Sequence, residues 1–73
     1  MNIAEQAKEL FLSRLSEQTR YIYKQNIDTG KFYVVDSNVG TVAAGLTLDE
    51  AKAEICLRLY RLNSYSPMEH SKA

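Results

Sequence analysis

The segment GLTLDEAKAEICLRLYRL, residues 45–62, most constrains the fold because it predicts a well-capped amphipathic helix. Thr47 and Glu50 have the spacing of a capping box, in which each side chain bonds the backbone amide of the other residue. At 100° per residue, one apolar stripe predicts the core-facing side. The stripe consists of Leu48, Ala51, Ile55, Leu59 and Leu62. A helix with such a stripe needs another layer to pack on, and the upstream residues must supply it.

Other residues of this helix suggest binding surfaces. Leu57 lies opposite the apolar stripe, among charged residues. One exposed leucine is ordinary. The alternative is a contact with a partner or a second subunit, together with Tyr60 and Arg61, since both residue types are enriched at binding hot spots. Cys56 flanks the stripe and is expected to be a small buried hydrophobe.

The N-terminal residues, from Asn2 to about Gln18, predict a first helix. Asn2 and Glu5 repeat the capping-box spacing. One broad apolar face is expected to pack on the core, and it contains Ile3, Ala4, Ala7, Leu10, Phe11 and Leu15. Leu12 points away from that face and is predicted to be exposed. The polar face mixes both charges, which favours core packing over binding to a membrane surface.

Three strands are predicted between the helices. The first is rich in β-branched and aromatic residues and alternates, the second is the strongest strand pattern of the chain, and the third is short and made of small residues. They are TRYIYKQNI over 19–27, KFYVVD over 31–36 and a short strand over 41–44. Gly30 is available for a positive φ in the first turn. KFYVVD is apolar on both faces, which predicts the central strand.

The predicted order therefore gives an α+β domain, α-β-β-β-α, with a three-stranded antiparallel sheet and two helices packed on one face. Residues 1–63 form this single domain. Residues 64–73 contain Ser and Pro without periodicity and are predicted to be a flexible C-terminal tail. A chain of 73 residues buries about 60% of its unfolded surface, so modest stability is expected.

Charge and composition argue against several function classes. Nine basic residues balance nine acidic ones, so no whole-molecule electrostatic case exists for nucleic acid or for an anionic membrane. Zero net charge makes self-association easier. No apolar run approaches the roughly 20 residues needed to span a bilayer. The single cysteine excludes an internal disulfide and suits a reducing, cytoplasmic location.

The residue pattern does not predict an enzyme, a cofactor or a metal site. His70 stands alone in the predicted tail, without partners at ligand spacing. Cys56 has no nearby base to activate it. Asp28, Asp36 and Asp49 lie at the ends of elements, where carboxylates are usually structural. The glycines of residues 40–45 lack the phosphate-binding pattern.

The tyrosines are the remaining feature. If helices cover one sheet face, the other is exposed, and the pairing register decides its residues. The exposed set is either Tyr21 and Tyr23 with Phe32, or Ile22 with Tyr33 and Val35. Such aromatic residues can serve ordinary cross-strand packing, protein binding or stacking of nucleobases.

The predicted order of elements resembles the double-stranded RNA-binding domain. The segment GLTLDEA, residues 45–51, is similar to the final strand-to-helix junction of HicB-type antitoxins, which carry a partial version of that fold. The resemblance implies the same fold for this chain. Asp49 and Glu50 stand where RNA-binding members have lysines, and carboxylates oppose phosphate binding. The Pro-Gly-Cys-type turn of the antitoxins is absent.

The sequence therefore predicts a small, non-enzymatic protein that binds another protein or protein complex, as a monomer or a homodimer. Inhibitors of phages and mobile elements, such as anti-CRISPR proteins, belong to this class. The predicted partner-binding residues are Tyr21, Tyr23, Tyr33, Leu57, Tyr60 and Arg61, with Leu12 as a further candidate. The alternative is a nucleic-acid-binding module that uses an aromatic open sheet face.

Overall fold

The structure, a computed structural model, describes residues 2–71, with side chains through residue 62. In chain order the elements are helix α1 (Ile3–Phe11), 3₁₀ helix η1 (Leu12–Glu17), strands β1 (Tyr21–Gln25), β2 (Phe32–Asp36) and β3 (Gly40–Leu46), and helix α2 (Leu48–Ser71). The strands form one antiparallel sheet in the order β1-β2-β3. The predicted α+β class, the α-β-β-β-α order and the central position of β2 are confirmed.

Helix α2 organises the core because it contacts all three strands. Ala51 and Ile55 are buried against Tyr21 and Val34, and these four side chains form the centre of the core. The capping box is present. The Thr47 amide donates to the Glu50 carboxylate at 2.9 Å, and the Glu50 amide donates to the Thr47 hydroxyl at 3.1 Å. The sequence therefore places both the start and the buried stripe of α2.

Helix α1 packs against α2 and is followed by η1. The Asn2 side chain caps it by accepting from the Glu5 amide at 2.8 Å. The predicted broad apolar face is wrong in part, because only Ala7 is fully buried, whereas Ile3 and Leu10 are about half exposed. A helix that packs against another helix buries a narrow stripe, so residues at the sides of the face remain in solvent.

The first helix was predicted to run to about Gln18, whereas the α-helix ends at Phe11 and continues as a 3₁₀ turn. Ser13 and Ser16 lie within η1, and serine is a poor former of α-helix interiors. The tighter turn changes which side chains share a face. Leu12 is exposed, as predicted.

The register of β1 and β2 decides which sheet face is covered. Tyr21 pairs with Asp36, and Tyr23 pairs with Val34, so these side chains share the face that packs under α2. Ile22 pairs with Val35 and Lys24 pairs with Tyr33, and these four side chains lie on the opposite face. The open face is therefore the one that carries Ile22, Tyr33 and Val35.

Two predicted surface residues need correction. Tyr21 is 5% exposed and belongs to the core, so it is not available to a partner. Leu57 is half-buried, because α2 is covered on one side by the sheet and on another by α1. In the opposite direction, Leu48 was predicted in the core stripe but is exposed at the first position of the helix.

The C-terminal part differs from the prediction in its backbone. Helix α2 was expected to end near Leu62, and the structure continues it to Ser71. Residues 64–71 thus form part of α2, while Lys72 and Ala73 lie outside the described residues. The flexibility predicted for residues 64–73 stays a prediction.

The capping box gives a direct stability test. Replacing Thr47 by Ala removes the hydroxyl that accepts from the Glu50 amide, and we expect the free energy of unfolding to fall by about 1 kcal/mol. Urea unfolding followed by circular dichroism measures it. Thr19→Ala is the matched control because Thr19 is exposed and outside any helix. Equal stability losses in the two variants would show that the box contributes nothing.

Candidate protein-binding groove

A groove of about 700 Å³ separates η1 and the end of α1 from the beginning of α2, with β1 along its length. Its apolar lining comes from η1, β1 and α2 and includes Leu12, Leu15, Tyr21, Tyr23, Ala53 and Ile55. The volume lies within the range of ligand clefts in proteins. The groove exists because α1 packs on α2 rather than on β1, so β1 is left partly uncovered.

Exposed hydrophobic side chains surround this groove. Leu12 is 43% exposed on one wall and Tyr23 is 38% exposed on the other, beside Ile22 at 44%. The Tyr23 ring is fixed by an edge-to-face contact with Phe32, with 6.0 Å between the ring centroids. Ordered apolar side chains grouped around a groove are typical of an interaction site.

The groove also carries charge. Lys8 and Lys52 line it together with Asp49. Within residues 2–62, ion pairs join Arg20 to Asp36 and Arg58 to Glu54, and neither groove lysine takes part in one. The groove thus presents more positive than negative charge and keeps its ammonium groups free for a ligand.

The outer edge of β1 is partly open. The Asn26 amide donates to the Lys31 carbonyl at 2.7 Å, and the Ser37 amide donates to the Arg20 carbonyl at 2.8 Å. Hydrogen-bonded pairs alternate along an antiparallel ladder, so every second residue of β1 turns its backbone groups away from β2. Those residues are Tyr21, Tyr23 and Gln25.

Gln18 occupies the first of these positions. Its side-chain carbonyl accepts from the Tyr21 amide at 2.9 Å, and its Nε2 donates to the Tyr21 carbonyl at 2.7 Å. The same Nε2 donates to the Leu15 carbonyl at 3.0 Å, which ties the edge to η1. One side-chain amide thus acts as a short substitute for a neighbouring strand. The outward backbone groups of Tyr23 and Gln25 have no such cover among the described residues.

An ion pair fixes β1 to β2 beside Gln18. Arg20 Nε donates to Asp36 Oδ1 at 2.8 Å and Arg20 Nη2 to Oδ2 at 3.3 Å. The Asn38 amide also donates to Oδ1, at 2.8 Å. The Arg20 bonds, followed by the Asn38 amide, hold the pKa of the buried Asp36 carboxyl below its ordinary value. The Arg20 guanidinium lies 5.4 Å from the centre of the Tyr21 ring.

The other predicted site residues lie apart from the groove. Tyr60 is half-buried and donates its hydroxyl to Gln6 Oε1 at 3.2 Å, so it joins α2 to α1. Arg61 is exposed farther along α2, near the half-buried Leu57. Tyr33 is half-buried on the open sheet face. From the predicted set, the groove therefore brings together the exposed Leu12 and Tyr23 with the buried Tyr21.

Several residues of the groove were not singled out from the sequence. Gln18, Lys8 and Lys52 carry no motif, and their importance comes from the position of η1 beside β1. The one available signal was the run of polar residues 16–20 between Leu15 and Tyr21. Such a stretch indicates a connection but not the strand edge that it covers.

The chemistry of the remaining groups is limited. Cys56 is buried, as predicted, and burial raises the pKa of its thiol, so the thiol is neutral near pH 7. Across the described residues no cluster of three His, Cys, Asp or Glu has the arrangement of a metal site. The His70 side chain lies outside the described ones. In the part of the chain searched, no helix combines the length and apolarity required to cross a membrane.

The role of Gln18 can be measured. Gln18→Met keeps the length of the side chain and removes its bonds to Tyr21 and Leu15. We expect a loss of about 1 kcal/mol of unfolding free energy, because partly buried backbone groups lose partners. Glu17→Met, at an exposed neighbouring position, is the control. An unchanged urea midpoint for Gln18→Met would mean that water replaces the amide fully.

The Asp36 pair predicts a pH dependence. Because its folded-state pKa is lowered, the stabilisation is present above the unfolded pKa near 3.9 and is lost as pH falls through the folded pKa. Asp36→Asn should lower the melting temperature at pH 7 and flatten its decline as the pH falls below about 4. Asp28→Asn, in an exposed turn, should retain the decline of the parent protein. Parallel pH profiles for all three proteins would contradict this assignment.

Comparisons with known proteins return no match: none of the family models, curated proteins or solved structures is similar to this chain. The similarity of residues 45–51 to the junction of HicB-type antitoxins therefore stays a prediction from sequence. The groove and the open part of the β1 edge are the observations from which a function can be argued.

Proposed function

We propose that this protein binds another protein through the groove between η1, α2 and β1, and that it performs no catalysis. The observation that carries the proposal is the grouping of exposed Leu12 and Tyr23 on opposite walls of a 700 Å³ groove. A partner that removes these apolar side chains from water lowers the free energy of the complex. An inhibitor or regulator that acts by occupying a partner's surface is the functional class that this arrangement suits.

A protein partner agrees with the groove better than a nucleic acid does. The open sheet face carries one tyrosine, Tyr33, beside Ile22, Lys24 and Val35. Nucleobase-binding sheets use two or three stacked aromatic rings. Tyr21 and Tyr23 project from the other face, under or beside the helices. No observation favours nucleic acid as a second function.

Site-specific crosslinking tests the proposal. A photoreactive amino acid replaces Leu12 in the groove. As a matched control it replaces Leu10, which is similarly exposed on α1 and does not line the groove. We expect crosslinking in cells from position 12, to a protein that remains after nuclease treatment, and none from position 10. Leu12→Glu should weaken binding of that protein roughly 30-fold, the effect of losing about 2 kcal/mol at an anchor.

The outcomes separate the alternatives. Equal crosslinking from positions 10 and 12, or equal binding by Leu12→Glu and Leu10→Glu, would contradict binding through the groove. A crosslink that nuclease removes would move the function to nucleic acid. A crosslink from position 12 to a second copy of the chain would identify the groove as a homodimer interface.

A further inference from the structure

We infer that the partner segment is an extended, acidic peptide with alternating apolar residues, and that it pairs with the outer edge of β1 as a fourth strand. This inference rests on the proposed function and adds the chemical class of the partner. It is carried by three observations: the uncovered backbone groups of β1, the apolar groove beside them, and the unpaired lysines around both.

The backbone determines where a strand can add. Tyr23 and Gln25 each present one outward N–H and one outward C=O, while Gln18 already covers Tyr21. At the other edge of the sheet, β3 pairs with β2 through two irregularities of register, on either side of Val34. Bulges twist an edge and oppose further pairing. The regular edge of β1 is therefore the position for strand addition.

The side chains determine the alternation of the added strand. Successive residues of a strand point to opposite faces of the sheet. On the helix side of β1, an added residue would meet the groove, where Leu12 and Tyr23 are exposed. On the open side, it would lie opposite or beside Lys24, which is exposed. Apolar residues suit the first set of positions and acidic residues suit the second.

Charge distinguishes an acidic segment from a basic one. Lys8 and Lys52 line the groove, Lys24 lies on the open side of β1, and none of the three makes an ion pair with residues 2–62. Asp49 is the acidic residue of the lining. A positive site attracts an acidic partner and disfavours a basic one, since like charges in proximity raise the free energy of the complex.

A second copy of the chain fits this edge poorly. In a twofold pairing that joins Tyr23 to Gln25 of the other copy, the two Lys24 side chains lie directly opposite each other. Like charges at directly opposed positions destabilise a strand pair. A pairing centred on Tyr23 would require the Tyr21 groups, which Gln18 already holds. The acidic peptide meets neither obstacle.

The probe is a capped synthetic peptide that alternates glutamate and valine over about seven residues, a short strand in length. Its binding to the full chain is measured by fluorescence anisotropy. In one comparison peptide lysine replaces glutamate. In the other, methyl groups block the peptide nitrogens that would donate hydrogen bonds to the carbonyls of β1. We expect binding of the acidic peptide below about 1 mM, and at least tenfold weaker binding of both comparison peptides. No binding of the acidic peptide, or equal binding of all three, overturns the inference.

Substitutions in the protein test the same pairing. Gln25→Pro removes an outward N–H without removing a bond of the β1-β2 ladder. Gln25→Ala loses the same side chain, including its bond to the Gly30 carbonyl, and keeps the N–H. We expect Gln25→Pro to bind the acidic peptide at least tenfold more weakly than Gln25→Ala, with both variants folded by circular dichroism. Should Gln25→Pro unfold, the methylated peptide provides the equivalent test.

The charge test uses Lys24→Glu. Arg61→Glu is the control because it changes the charge by the same amount, and Arg61 lies roughly 13 Å beyond the groove residue Lys52 along α2. We expect at least tenfold weaker peptide binding for the first and less than twofold for the second. Equal effects overturn the charge assignment.

If Leu12→Glu abolishes capture of the cellular partner while Gln25→Pro and Gln25→Ala bind it equally, the proposed function stands and strand addition fails. A dimer in sedimentation experiments that Lys24→Ala strengthens, because the opposed like charges are removed, would overturn the inference in favour of self-pairing.

Discussion

The structure depends on the packing of α2 across the sheet, where Ile55 and Ala51 lie against Tyr21 and Val34. Buried apolar area supplies most of the free energy that holds a small domain together. This contact uses one stripe of α2, and α1 covers another part of the same helix. Helix α2 thus contacts both the sheet and α1, and the groove lies where η1, β1 and the beginning of α2 pack incompletely around one another. The candidate site is consequently a product of the packing rather than an addition to it.

The polar contacts beside the groove have a different role. Arg20 and Asp36 fix the start of β1 to the end of β2, and Gln18 fixes the same end of β1 to η1. Together they hold one wall of the groove at a set distance from the other. A strand edge that is rigid and partly occupied presents its remaining backbone groups in a fixed geometry, which lowers the entropy cost of binding. The same contacts limit unwanted pairing by leaving a short open segment.

The sequence predicted those parts of the fold that depend on local chemistry. Thr47 and Glu50 indicated the start of α2, and the apolar residues on both faces of KFYVVD indicated the central strand. It did not decide the exposure of Tyr21, because a strand with similar residues on both faces leaves the register open until the sheet forms. Helix α1 shows the same limit. Its apolar residues predicted a wide buried face, but the width depends on whether the neighbour is a helix or a sheet.

The groove was beyond prediction from the sequence for a related reason. Leu12 and Tyr23 were each recognised as candidates, yet their separation depends on how α1 and η1 pack beside β1 and α2, which no local pattern predicts. The α-helix changes to the 3₁₀ helix η1 after Phe11, and at the end of η1 Gln18 reaches the edge of β1. Leu12 itself keeps the α-helical arrangement, because its amide donates to the Lys8 carbonyl, so its direction follows α1. The site therefore depends on a backbone transition of a few residues, for which the serines of η1 give the chemical reason.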